Sequence, residues 1–196
     1  MKFQKILMLL LSMIITTNSS LALTSNEFTK LKDKLQAVCD IYNRPCEVKT
    51  LKSSNVNAFT SIQGEIYYTT GILNKLNYNE AYAVGLHEVG HHVLRHYNLG
   101  DALQKKRVDF KAAHYRLETE ADLFATKYAL DNNEKNYLPE ALSVIIPDTK
   151  KDLSTRTHPS RTIRIKHINN YTKYYRYLYF NNRMKHEKNY YTSYRR

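Results

Sequence analysis

Two histidines, His87 and His91, stand four residues apart, and Glu88 directly follows the first of them. Residues four apart lie on the same face of an α-helix, so both imidazoles can point at one metal ion. Glu88 falls about 100° round the helix, where its carboxylate reaches a water on that metal without being a ligand. This spacing is typical of zinc hydrolases, although the same letters also occur by accident in unrelated helices.

A catalytic zinc site needs a third protein ligand and an open position for water. The metzincin pattern would require Gly and His where this chain has Leu94 and Tyr97, so that class is excluded. A later segment offers Glu118 and, four residues further on the same helical face, Asp122. We predict that Glu118 is the third ligand and that Asp122 holds a ligand histidine by its other ring nitrogen. The alternative is an acidic patch on a solvated helix.

The histidine pair lies in an apolar-periodic run that predicts a helix over 80–97, opened by a capping box of Asn77 and Glu80 and ended at 98–100. The other predicted elements are helices over 25–42 with Ser25 as N-cap, 101–132, 137–146 and 159–171, and strands over 47–51, 56–62 and 65–70. The expected fold class is therefore α+β, mainly helical, with a small mixed or antiparallel sheet next to the metal-binding helix.

The amino terminus has the pattern of a signal peptide. Lys2 and Lys5 precede an apolar run over 6–15, and small residues stand before a cleavage position after Ala22. The apolar run is too short for a membrane span, which needs about 20 residues. We expect an exported chain, periplasmic or secreted, whose remaining length suits one domain.

The sequence contains two cysteines, Cys39 and Cys46, separated by a segment that suits a turn. In an exported protein this pair predicts a disulfide between the first helix and the strand that follows. If the chain were not exported, two reduced buried thiols would be the better interpretation.

The formal net charge is +12, and much of it lies in 171–196, where seven basic residues face Glu187 alone and are interleaved with tyrosines. Aromatic residues among cations suit a lipid headgroup surface or a nucleic acid. Because the chain is expected to be exported, we predict peripheral contact with a membrane or envelope polysaccharide, and nucleic acid is disfavoured. The alternative is that Tyr174, Tyr177 and Leu178 pack the last helix onto the domain and the remainder is solvated.

The chain resembles the M48 family of zinc metallopeptidases, whose signature pairs His-Glu-x-x-His with Glu-x-x-x-Asp. The matching residues are His87, Glu88, His91, Glu118 and Asp122. Further similar segments, spread over about residues 50 to 170, are 57–59, 65–73, 95–96, 157–160 and Arg164. The small exported or membrane-associated members, related to periplasmic quality-control and mitochondrial inner-membrane proteases, are the most similar, although this chain lacks the tetratricopeptide repeats that some of them carry.

The resemblance implies a zincin-like domain over 23–170, one Zn²⁺ per chain and Glu88 as general base. It implies that an edge strand lines the cleft and pairs with an extended substrate; we place this strand at Ile66, Tyr67, Tyr68 and Thr69. It also places His158 near the cleft, where the imidazole could stabilise an oxyanion or close the zinc site; a helix start with an exposed ring is the alternative. Arg161 and Arg164 could assist there or form salt bridges on a helix surface.

Three functions remain in competition. The first is a zinc endopeptidase acting on unfolded or misassembled envelope proteins. The second is a zinc-binding chaperone or adaptor with little proteolysis, which the presence of Glu88 disfavours. The third is a surface-binding protein that uses its basic tail and holds a structural zinc, for which His158 would be the fourth ligand.

Overall fold

The computed structural model describes residues 22–97, 110–146 and 158–193, with side chains as far as Asn181. The predicted signal peptide, apart from Ala22, lies outside these residues, as does the predicted helix end at 98–100. The described elements, in chain order, are α1 Ser25–Ile41, β1 Glu47–Leu51, β2 Ala58–Thr60, β3 Glu65–Thr69, α2 Thr70–Leu73, α3 Tyr78–Val93, α4 Phe110–Asp131, α5 Leu138–Ile145 and α6 Arg161–Ser193. The α+β prediction, mainly helical with a small mixed sheet, is confirmed.

The sheet has the order β1-β3-β2, with β1 parallel and β2 antiparallel to β3. The prediction that Ile66, Tyr67, Tyr68 and Thr69 form the edge strand is therefore wrong, because they lie in β3 at the centre. Ile66 and Tyr68 are fully buried, as the inward-facing residues of a central strand should be. The edge beside the metal-binding helix is β2.

Side-chain caps define how α1 and α3 begin. Asn77 and Glu80 form the predicted capping box, with Glu80 N donating to Asn77 Oδ1 at 3.1 Å and Asn77 N donating to Glu80 Oε2 at 3.0 Å. At α1 the N-cap is Thr24 rather than the predicted Ser25, and Glu27 completes the box. Threonine at this position reaches the free N–H groups of the first turn as serine would, so periodicity alone placed the start one residue late.

Helix α3 ends earlier than its apolar periodicity predicts. Its last residue is Val93, Leu94 is the C-cap, and Arg95 has φ 59°, in the left-handed region. This conformation is uncommon for a residue with a side chain and turns the chain sharply out of the helix. His96 and Tyr97, which follow this turn, contact His91 and His92 of α3.

Helix α3 is the centre of the core, since it contacts α1, α4, α5 and the sheet and is buried over most of its length. Its contact with α4 depends on small residues: a Cβ at Gly90 would lie 3.1 Å from Ala121 Cα. Such a close approach lets the two backbones come together. The face that carries His87 and His91 is thus brought against the face that carries Glu118.

Cys39, near the end of α1, and Cys46, just before β1, form the predicted disulfide, with a Cα–Cα distance of 5.9 Å. The intervening turn includes Asn43 at φ 53°, a left-handed conformation that asparagine tolerates well. The bond fixes the route from α1 into the sheet.

Helix α6 runs from Arg161 to Ser193 without a break at 171, where the basic tail was predicted to begin. Tyr174 and Tyr177 are 59% and 65% exposed, so the alternative in which they pack the helix onto the domain is wrong. Within the described part of the chain, no helix combines the length and apolar character that crossing a membrane requires.

Candidate metal and active site

Helices α3 and α4 bring three metal-binding side chains together. His87 Nε2 lies 3.1 Å from His91 Nε2, and the carboxylate of Glu118 lies 3.6 Å from the first and 3.4 Å from the second. One ligand atom from each residue falls within 4.8 Å of the others. The i, i+4 spacing on α3 and the close crossing with α4 therefore produce the predicted cluster.

Asp122 determines which ring nitrogen of His87 is available to bind a metal ion. Its Oδ1 lies 2.9 Å from His87 Nδ1, so that nitrogen carries the proton and donates it to the carboxylate. Burial lowers the pKa of His87, but the hydrogen bond and the charge of Asp122 outweigh it, and the pKa ends above its usual value. The lone pair of Nε2 consequently points towards His91 and Glu118.

A second histidine contact lies behind His91. His96 Nδ1 is 2.9 Å from His91 Nδ1, and His96 Nε2 is 3.3 Å from Glu120 Oε2. Burial, followed by the neighbouring His91, lowers the pKa of His96 to about 4, so this ring is neutral near pH 7. The sequence pattern did not single out His96 or Glu120 for this contact.

The donor set fits a divalent cation. Glu118 Oε2 is buried and has no hydrogen-bond partner among the described residues, with Arg164 Nη1 at 3.5 Å. A buried carboxylate oxygen without a partner is costly, and a cation would satisfy it. Two imidazoles with one carboxylate are ligands that zinc accepts, leaving a fourth position open. His87, His91 and Glu118 could therefore hold the ion.

Arg164 was expected either to assist at the cleft or to form salt bridges on a helix surface, and the structure agrees with the first alternative. Its side chain is buried and donates from Nε and Nη2 to the two oxygens of Asp122, at 2.9 and 2.6 Å. Burial would raise the pKa of Asp122, but the charge and hydrogen bonds of Arg164 hold it below its usual value. The arginine thus keeps Asp122 ionised to accept from His87. A basic residue at a position whose neighbours Ile165 and Ile168 face the core was the signal that sequence analysis did not use.

Glu88 is buried at the base of the cleft, and its partner comes from the edge strand. The Thr60 hydroxyl lies 3.0 Å from Glu88 Oε2 and 2.9 Å from the Glu88 carbonyl oxygen. Because Thr60 belongs to β2, this contact joins the strand at the sheet edge to the metal-binding helix. Nothing in the sequence pattern singled out Thr60.

His158 and Arg161 both line the cleft, but in different ways. His158 Nε2 lies 3.6 Å from Glu118 Oε1, and the His158 side chain is 54% exposed. Its position beside the cluster agrees with the location that the resemblance implied. Arg161 Nη1 instead donates to the Ile146 carbonyl oxygen at 3.1 Å, at the end of α5. Arg161 therefore forms part of the cleft wall rather than approaching the three ligand atoms.

A cavity of about 260 Å³ opens beside Glu88 and Glu118. Its inner wall is mainly aliphatic and includes Ile72, Val84, Leu138, Leu142, Ile145 and Ile146. One water takes roughly 30 Å³ of liquid volume, so the cavity has room for an organic side chain. The same cavity is also lined by polar residues, including the metal-ligand candidates His87 and Glu118 and the side chains of Asn57 and Arg161.

Comparison with protein-family models matches residues 22–108 to peptidase family M48. Comparison with curated proteins gives no match. The matched segment contains His87, Glu88 and His91, while Glu118 and Asp122 follow it and meet these residues in space. Residues 22–108 of this chain are therefore similar to peptidase family M48, which supports the resemblance seen in the sequence.

Proposed function

We propose that the protein is a zinc-dependent endopeptidase that hydrolyses peptide bonds in unfolded polypeptide segments. The observation that carries the proposal is the convergence of His87, His91 and Glu118 within 4.8 Å of one another, beside a buried glutamate in an open cleft. Zinc bound there would supply Lewis-acid chemistry, lowering the pKa of a coordinated water towards neutrality and polarising the peptide carbonyl.

Glu88 acts as general base and then as general acid. It accepts the proton that the attacking water loses as its oxygen bonds to the peptide carbon, and it donates that proton to the amine as the C–N bond breaks. The Thr60 hydroxyl, 3.0 Å from Glu88 Oε2, holds one carboxylate oxygen and leaves the other to carry the proton. Asp122 and Arg164 hold His87 in its ligand orientation throughout.

The edge strand β2 binds the substrate backbone. It pairs with β3 on one side only among the described strands, and Ala58 lies on the wall of the aliphatic cavity and of a second cavity beside His87 and His91. An extended peptide can add to such an edge through main-chain hydrogen bonds, which demand little of the sequence. Only an unfolded segment can present its backbone in this way.

The aliphatic cavity gives this binding a side-chain preference. Its mouth opens beside Glu88 and Glu118, so it would receive a substrate side chain next to the cleaved bond. Burial of apolar surface favours leucine, isoleucine, methionine or phenylalanine there. Unfolded segments expose these residues, which agrees with a role in removing misassembled proteins.

The proposed activity is tested with the mature chain from Leu23 onward and unfolded casein. We expect cleavage by the protein loaded with one zinc per chain, loss of cleavage after removal of metal by a chelator, and recovery on adding zinc. Cleavage product and zinc content are measured on the same samples. Cleavage that continues unchanged in metal-free protein would contradict the proposal.

Filling the aliphatic cavity should change which bonds are cut. We expect Ile146→Trp to lower kcat/KM for a peptide with leucine at the pocket position by about 10-fold or more relative to one with alanine, because small apolar volume differences are worth about 1–3 kcal/mol. Cleavage sites in casein are mapped by mass spectrometry. Val144→Trp, on α5 but absent from the cavity wall, is the control; an unchanged preference in Ile146→Trp would contradict the assignment.

We also propose that the chain acts in the cell envelope, as an exported protein of the periplasm or a secreted one. The signal-peptide pattern and the Cys39–Cys46 disulfide support this. The exposed aromatic residues of α6, among them Tyr177 and Phe180, together with Lys173 and Arg176 support contact with an anionic membrane or polysaccharide. Fractionation of cells after expression with the native amino terminus tests the location.

A further inference from the structure

We propose that His96, anchored by Glu120, is the positioning residue of His91, and that it decides which ring nitrogen of His91 is offered to the metal. This inference rests on the proposed metal centre. His87 receives the corresponding support from Asp122, whereas among the described residues the partner at His91 Nδ1 is an imidazole and not a carboxylate.

The contact exists only because α3 ends where it does. In a continuous helix, a residue five positions after His91 would lie about 140° round the axis and point away from it. Helix α3 stops at Val93, and the left-handed turn at Arg95 returns His96 to the side of the helix that carries His91. The two rings meet edge to face, with centroids 4.9 Å apart. An uncommon backbone conformation is thus retained at the position that creates the contact.

His91, His96 and Glu120 lie in series, and the proton positions on the two rings follow from Glu120 at the end of it. Glu120 can only accept, so His96 Nε2 carries the proton directed at its Oε2, 3.3 Å away. His96 Nδ1 is then an acceptor, and at 2.9 Å it receives the Nδ1–H of His91. His91 is left with its lone pair on Nε2, the atom that faces His87 and Glu118.

The surroundings hold this arrangement in place. The His96 side chain is buried, and Arg116 Nε donates to the second oxygen of Glu120 at 2.6 Å. Glu120 is therefore oriented by one hydrogen bond, and its other oxygen lies 3.3 Å from His96 Nε2. Because His96 contacts the ligand rather than the ion, it acts through His91.

The test compares two substitutions of His96 that differ in one property. In His96→Asn the amide oxygen can take the place of Nδ1 as acceptor, whereas His96→Leu offers no acceptor. We expect His96→Leu to weaken zinc binding about 10- to 100-fold and His96→Asn to retain affinity close to wild type. Zinc dissociation constants are measured by competition with a chromophoric chelator, on samples that thermal unfolding shows to be folded.

His92 provides a matched control, since it adjoins His91 in sequence and is as buried as His96, but its Nε2 contacts the Pro45 carbonyl oxygen. We expect His92→Leu, where folded, to keep the wild-type zinc affinity. Wild-type affinity in folded His96→Leu, or equal losses in His96→Asn and His96→Leu, would overturn the inference while leaving the proposed peptidase intact. A wild-type chain that binds no zinc would overturn both.

A second measurement needs no variant. Long-range ¹H–¹⁵N correlation spectra of the zinc-loaded protein distinguish the two neutral tautomers of each ring. We expect His91 to be protonated at Nδ1 and His96 at Nε2. A His96 ring protonated at Nδ1 would overturn the inference, since it could not then accept from His91.

Discussion

Glu88→Gln is expected to lower turnover of unfolded casein by about 10²- to 10⁴-fold, the usual contribution of a general base, while one zinc per chain is retained. The amide has nearly the shape of the carboxylate but cannot take the proton that the attacking water loses. It can still accept from the Thr60 hydroxyl, so the local structure should persist. Initial rates and zinc content are measured together.

Glu140→Gln, an exposed change on α5, is the control and should cut at the wild-type rate. Equal turnover by Glu88→Gln and wild type would remove Glu88 from the mechanism. If the wild-type protein binds zinc but does not cleave casein, the result favours the chaperone or adaptor interpretation. His158→Ala then tests whether the imidazole beside Glu118 keeps the enzyme inactive. Recovery of cleavage in that variant would restore the peptidase assignment.

Arg164→Leu should lower the free energy of unfolding by about 3–5 kcal/mol, the cost of breaking a buried ion pair by removing one partner. Asp122 is 1% exposed and would lose the guanidinium that keeps its buried carboxylate ionised beside His87. The same change should weaken zinc binding, since Asp122 orients a ligand. Denaturant unfolding at pH 7 and zinc competition give the two quantities.

The pH dependence of this loss has a definite sign. The pKa of Asp122 is lowered in the folded protein by Arg164 in spite of burial. The stabilisation that ionised Asp122 gives is therefore complete at pH values above the pKa of Asp122 in the unfolded chain. It is lost as the pH falls through the lower pKa of Asp122 in the folded protein. The difference in free energy of unfolding between wild type and Arg164→Leu should therefore decrease at acidic pH. Arg176→Leu, exposed on the same helix, should change stability by less than about 0.5 kcal/mol; a similarly small loss in Arg164→Leu would show that the pair does not stabilise the fold.

Local spacing in the sequence was enough to identify the candidate metal ligands and the residue that supports one of them. His87 and His91 share a helical face by their separation, as do Glu118 and Asp122, and apolar periodicity predicted the helices that carry them. The crossing of these helices depends on Gly90 opposite Ala121, a contact between distant residues that no single segment reveals.

What the sequence did not predict depends mainly on long-range order. Periodicity identifies a strand without giving its neighbours, so β3 was taken for the edge when β2 occupies it. The end of α3 depends on the left-handed turn at Arg95, which apolar spacing does not encode. The burial of Arg164 follows from the acceptor that Asp122 provides across the fold. The first and third of these features concern which distant residue a segment meets, and the second concerns a local backbone conformation.

The support for His87 is assembled from widely separated parts of the chain. Arg164 lies 42 residues after Asp122 and 77 after His87. A polypeptide delivered from its amino terminus therefore presents the histidine pair long before the arginine that neutralises Asp122. Until Arg164 is available, the Asp122 carboxylate that contacts His87 has no opposite charge to stabilise it when it is buried. Completion of the support for His87 is thus tied to the arrival of helix α6, so the ligand cluster and its support are complete only after the chain has folded as far as Arg164.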